Sequence, residues 1–142
     1  TAIVASPRHG VITRIVRRRR LATSVALDDL LAARYRADES GQTRLTIEQL
    51  GTLLVGRPVH TALARATRAS LVNEESGAIA LTDGGRQAAR DIVRRHRLWE
   101  HYLVDEAGFA PDHVHAPAER LEHVATEPPP GPDMDPHGRQ IP

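Results

Sequence analysis

Between residues 39 and 85 four short turn-forming stretches, "ESGQT", "VGRP", "EESG" and "TDGG", interrupt the chain. They leave room only for brief elements, and each one carries its own start signal. "TIEQLGTLL" opens on a capping-box signature, with Thr46 as N-cap and Gln49 three residues on. Pro58 suits the first turn of the next helix, which runs to about Ser70 and turns Val59, Leu63 and Ala66 inward. Two short helices across a glycine-containing turn make a helix-turn-helix pattern. Leu71-Val72 and Ile79–Leu81 then read as strands around a polar turn from Glu74 to Gly77. A hairpin behind a helix-turn-helix predicts a winged helix.

The flanks complete the plan. From Leu21 to Asp38 the pattern is helical, with Leu27, Leu30, Leu31 and Tyr35 recurring three and four apart. Thr82 caps a long helix, "DGGRQAARDIVRRHRLWEHYLVDEAG", whose buried stripe is read as Ala88, Ile92, Leu98 or Trp99, and Leu103. Gly108 ends it, "FAPD" turns the chain, and a second helix runs from about Asp112 to Ala125, antiparallel to the first. The expected fold class is mainly α: an N-terminal winged helix-turn-helix followed by an antiparallel helical lobe. The expected divisions are a basic opening segment at 1–20, a winged helix at 21–82, the helical lobe at 83–126 and a Pro/Gly-rich tail at 127–142 without regular structure.

Composition removes several classes. Hydrophobic residues make up 40% of the chain but aromatics only 3%, so the core must be built from Leu, Val and Ile. With no cysteine, disulfides and thiolate metal sites are excluded. No apolar run approaches the ~18–20 residues of a membrane span. There is no nucleophile motif, Gly-rich phosphate loop or HExxH, so the chain is not read as an enzyme. Residues 1–20 carry six arginines and no acid. Their "RRRR" run at 17–20 has two readings, a solvated charge block or a patch attracted to a membrane surface or nucleic acid.

The stretch "HVHAPAERLEHV", residues 113–124, carries three histidines and two glutamates. Glu119, Glu122 and His123 stand at i, i+3 and i+4, on one helix face, with Cβ atoms ~5–6 Å apart. His115 lies one turn earlier on that side, and His96 and Glu100 form another i, i+4 pair on the preceding helix. A single such pair is usually a surface salt bridge; the metal reading rests on two clusters converging on antiparallel neighbours. His101 and His113 fall outside the pattern and are read as exposed. Carboxylate with imidazole suits Mn²⁺ or Fe²⁺, with Zn²⁺ or Co²⁺ as competitors. Such a set can also hold a hydrolytic metal, which leaves a metallohydrolase as a distant third reading.

The order of elements, with "LTDGGRQAARDIVRRHRLWE", the "H…AE..EH" run and the closing "DPHG..IP", resembles the metal-dependent repressors of the diphtheria-toxin-repressor and manganese-transport-regulator family (DtxR/MntR). The resemblance covers roughly residues 25–142. It implies that "LDDLLAARYR" is the family's first helix and that Asp29 is a primary metal ligand there. Glu119, Glu122 and His123 join it, with His96. His96, Glu100 and His115 match a second, neighbouring site. Acids at Asp29 and Glu119 lean toward manganese. The resemblance further implies a homodimer whose two winged helices fit successive major grooves of a palindromic double-stranded operator. Arg57, His60, Thr61 and Arg65 are the residues expected to read it, with Arg68 on phosphate. The chain departs from the family in its acidic wing (Glu74, Glu75), in Ser70 where the family usually has Gly, and in "VATEPPPGPD" where the family has a further helix. The opening "SPRHGVITRIVRRRRLA" resembles instead the cytoplasmic end of manganese/zinc/iron ABC transporter permeases, and the chain begins with Thr rather than Met. The expectation is a cytoplasmic regulator; its alternative is a metal-sensing domain, without DNA binding, joined to a permease at the cytoplasmic face of the membrane.

Overall fold

The computed structural model describes residues 8–124 and 127–142; the side chains of residues 8–20 and of His123 lie outside that description. Helix α1 spans Arg8–Glu39, α2 Ile47–Leu53 and α3 Val59–Arg68; strands β1 (Val72–Glu75) and β2 (Ala78–Leu81) follow, then α4 (Asp83–Asp105), a 3₁₀ turn (Pro111–His113) and α5 (His115–Val124). The expected winged helix-turn-helix and helix pair are both present in a mainly helical chain.

The first helix is longer than the sequence pattern indicated. It was expected from Leu21, yet it runs unbroken from Arg8. No Gly or Pro falls between residues 11 and 40 to stop it, so the boundary at 20 is one of composition, not of secondary structure. The helix ends where Gly41 takes a left-handed φ of 80° and the Gln42 N–H returns to the Ala37 carbonyl.

Local signals built the winged helix as anticipated. Thr46 and Gln49 form a complete capping box at α2. The Thr82 hydroxyl accepts from Gly85 N–H at α4 and donates to the Ser70 carbonyl. The hairpin turn is tighter than the four residues expected. Only Ser76 (φ 51°) and Gly77 (φ 74°) stand between the strands, the positive-φ pair of a type I′ turn, and Glu75 pairs with Ala78. Glu74 and Glu75 therefore lie exposed within β1 rather than at the tip. The tip itself holds a cation, because Arg44 donates to the Ser76 carbonyl. Ser70 sits at φ 56°, a left-handed position that suits Gly better. Gly85 is required by packing: a Cβ there would lie 1.8 Å from the Leu71 carbonyl oxygen.

Leu30, Leu31, Leu45, Leu50, Val59, Ala62, Ala66, Val72, Ile79 and Ala89 form the core of this region. Arg34 closes it from within. Buried in α1, it donates to the carbonyls of Ile79 and Thr43 and pairs with Asp38, so its charge is satisfied where water is excluded. A second cluster, Trp99, Leu103, Val114 and Ala118, joins α4 to α5.

Of the α4 positions expected to be buried, Leu98, Trp99 and Leu103 are so, but the first two turns are displaced by one residue. Ala88 and Ile92 are half-buried, and the stripe is Ala89, Val93, His96, Glu100 and Leu103, spaced four, three, four and three. Two of its members are polar, which is why a count of apolar residues missed its line. Arg97 is buried as well, because the tail docks against it. The tail lacks regular elements as expected, apart from a bridge between Met134 and Gln140, but it packs firmly: Asp135 and Ile141 are buried.

Candidate metal centre

The polar stretch of α4 points at α5. His96 and Glu100, one turn apart, are both buried, and their side chains meet His115 at the start of α5. His96 Nε2 lies 3.0 Å from His115 Nδ1 and 3.2 Å from Glu100 Oε1, and His115 Nδ1 is 2.9 Å from that same oxygen. One donor atom from each of the three lies within 4.8 Å of the others, the spacing a single divalent ion needs. On its other ring nitrogen His96 is 2.9 Å from Glu122 Oε2. The α4–α5 turn thus brings four of the expected residues, His96, Glu100, His115 and Glu122, into one connected group.

The electrostatics of this group are tightly balanced. Burial works to raise the Glu100 carboxyl, but the hydrogen bonds of His115 and His96 and the charge of Arg139 hold it well below the usual carboxylate range. Burial likewise works to lower His96, and the bonds to Glu100 and Glu122 outweigh it, keeping the imidazole above its ordinary value. The other Glu100 oxygen accepts from Arg139 Nη2 at 2.9 Å. Arg139 also bonds Asp135, which takes the backbone N–H groups of His137 and Arg139 as well. Arg97 grips Glu39 at the end of α1 and the Gln140 carbonyl in the tail. Sequence reading missed Arg97, Asp135 and Arg139. The only signal was the closing "DPHGRQIP", whose partners lie about forty positions upstream.

Asp29 and Glu119 form a second group. Asp29 projects from α1 and Glu119 from α5, and between them stands Arg57, its Nε 2.9 Å from Asp29 Oδ2 and its Nη2 2.5 Å from Glu119 Oε1. Arg57 was expected to read bases; in this structure it turns to the carboxylates instead. Gly56, at φ 79°, reverses the chain just before it, and two neighbouring anions attract the nearest guanidinium. His60, Thr61, Arg65 and Arg68 are exposed on α3. His123 falls on the same helix as Glu119 and Glu122, but its side chain lies outside the described residues. Of the two histidines read as exposed, His113 is so; His101 is half-buried and pairs with Asp105.

Both groups border one cavity of about 490 Å³. Asp29, Arg57, Glu119, His96, His115 and Glu122 line it, with Arg36 and the apolar side chains of Ala33, Leu54 and Ile92. Burial lowers Arg36 from its ordinary value, against the pull of the nearby Glu100. The cavity therefore joins the first helix, the helix-turn-helix and the α4–α5 pair. Among the described residues no helix is long and apolar enough to cross a membrane.

Comparison with known proteins agrees with this geometry. Residues 82–128 match the family described as iron dependent repressor, metal binding and dimerisation domain. A probable metal transport system membrane protein of Chlamydia trachomatis is 46% identical over 70 residues, 44% of this chain and 16% of that protein. The iron-dependent repressor IdeR of Mycobacterium leprae is 36% identical over 95 residues, 66% of this chain and 41% of that protein. Among solved structures, a manganese-dependent transcriptional repressor in complex with manganese superposes with a TM-score of 0.68 at 35% identity, over 82% of this chain and 58% of that one. The chain thus spans less than two thirds of the length of each of these relatives.

Proposed function

We propose that this chain, which carries a repressor domain of the DtxR/MntR family, is a divalent-metal-responsive, DNA-binding transcriptional regulator of metal homeostasis. The observation that carries the reading is the group of His96, Glu100, His115 and Glu122 opening onto the same cavity as Asp29 and Glu119. Asp29, Glu119, Glu122 and His123, with His96, would hold the activating ion; His96, Glu100 and His115 would hold a second. Oxygen and imidazole donors without thiolate fit Mn²⁺ or Fe²⁺, with Zn²⁺ or Co²⁺ as competitors. The ion would supply positive charge among carboxylates that come from different elements, tying α1 to the α4–α5 pair.

DNA binding would follow by linkage: a metal that favours one arrangement of the helices shifts the population toward it. The exposed α3 face, with His60, Thr61, Arg65 and Arg68, supports contact with a major groove. The partners in this reading are palindromic operator DNA and a second copy of the chain, in the cytoplasm. The winged helix at 21–82 reads DNA, and the lobe at 83–126 senses metal and dimerises, with the 127–142 tail docked on α4. The matching family model and the manganese-bound structural neighbour are of repressors, in keeping with a non-catalytic role.

One observation favours a second reading. The likeness to the Chlamydia membrane protein fits a metal-sensing domain joined to a permease. A Mn²⁺ titration followed by DNA binding, on wild type and Glu122→Ala, separates the two. Metal binding lost in Glu122→Ala, with DNA binding only in the presence of metal, supports the regulator. Metal binding through Glu122 with no DNA binding at low salt, across a pool of sequences, supports the permease sensor.

A further inference from the structure

We propose that Arg57 is a built-in competitor for the divalent cation, a cationic side chain that holds the carboxylates of Asp29 and Glu119 and must leave for a metal to enter. The inference rests on the reading of those two residues as ligands. Its ground is the geometry of the bridge. One guanidinium reaches both acids, one on α1 and one on α5, from the turn that precedes α3. Asp29 Oδ2 is buried, so the bridge closes over an oxygen that water scarcely reaches. A guanidinium has donors only and cannot share an oxygen lone pair with a cation beside it. Arg57 therefore holds one oxygen of each carboxylate and sets a positive charge beside the other, so its occupation opposes that of a metal at both.

Two consequences follow. The free-metal level at which the centre fills is set partly by Arg57, not by the ligands alone. Metal entry also releases a cationic side chain two positions before Val59, the first residue of α3, so occupancy is coupled to the charge available at the start of the helix expected to meet DNA. A bland surface ion pair would bridge two residues; this one spans three elements and borders the cavity shared with His96 and Glu122.

The test is a Mn²⁺ titration by calorimetry on wild type, Arg57→Ala and Arg57→Gln, the last keeping most of the side-chain length without its charge. Both variants should bind Mn²⁺ roughly tenfold more tightly, within the usual span of coupling between sites. Their melting temperatures should rise more on adding Mn²⁺ than that of wild type, a readout independent of DNA. In an Asp29→Ala background the gain should shrink, since Arg57 then holds Glu119 alone. Arg90→Ala, which removes an exposed charge from the outer face of α4, should change Mn²⁺ affinity little. Unchanged or weaker binding in both Arg57 variants overturns the proposal, as does an equal gain with Asp29 absent. If Glu122→Ala binds Mn²⁺ as wild type does, the metal-centre reading falls and the competitor with it. Loss of binding in Glu122→Ala beside an unaltered affinity in Arg57→Ala sinks the competitor alone.

Discussion

The two carboxylate groups around the cavity are built differently. Glu100 is fully buried and its partners, His96, His115 and Arg139, come from the helix pair and the tail docked on it. Asp29 and Glu119 come from helices that meet across the cavity, and Arg57 and Glu119 are each about one third exposed. The first group is held by packing that exists for its own sake. The second depends on where α1 and the helix-turn-helix stand relative to α5. A centre that draws on both has a rigid half and a half that reports position. That division is what a metal-driven switch requires, since binding energy must be spent on moving something.

The contrast is sharpest in stability. Glu100→Ala removes a fully buried carboxylate that balances a raised, buried His96 and receives Arg139. Breaking a buried charge pair by deleting one partner should cost about 3 kcal/mol. Urea denaturation would measure it, and a loss below about 1 kcal/mol would mean that the buried group is far more adaptable than its packing indicates.

Asp135→Ala should have the next largest effect. The buried carboxylate accepts two backbone N–H groups and Arg139 Nε, and it lies 3.8 Å from Arg97 Nε. Its loss leaves these donors short of a partner and should cost about 2 kcal/mol. The tail would then detach more readily from α4, exposing the peptide bond after Arg139 to trypsin. Faster cleavage there, at a metal affinity reduced only through Glu100, is the expected pattern. Unchanged cleavage would show that Ile141 and Arg97 hold the tail without Asp135.

What the sequence revealed follows the range of each interaction. Thr46 with Gln49, Thr82 with Gly85 and the Ser76-Gly77 turn act within three residues, so their signals could be read directly. The His–Glu group was readable for the same reason, as i, i+3 and i+4 spacings on two neighbouring helices. Glu100 with Arg139, Arg97 with Glu39, and Arg57 with Asp29 join residues far apart in the chain, and no local pattern marks them. Arg57 was assigned to DNA through the family resemblance, and its ion pairs with two acids from other helices carry no local signal. In the α4 stripe only Ala88 and Ile92 were placed one position early, and the polar interior residues His96, Arg97 and Glu100 were missed because their burial is decided by partners.

The smallest stability effect belongs to Glu119→Ala, where the comparison between the groups is most exposed to refutation. Glu119 and Arg57 are about one third exposed, so water screens their attraction and can replace either partner. The cost should not exceed about 0.5 kcal/mol, against about 3 for Glu100→Ala. Mn²⁺ affinity should nonetheless fall at least roughly tenfold, since a lost anionic ligand is not replaced by water without a penalty on a hard cation. Calorimetry and urea denaturation of one protein sample measure both. A large stability loss with unchanged affinity would reverse the assignment, making Glu119 a structural anchor between α5 and the helix-turn-helix. A small stability loss with a large affinity loss would mark this carboxylate as one whose main use is to meet a cation, with Arg57 holding the place until a metal arrives.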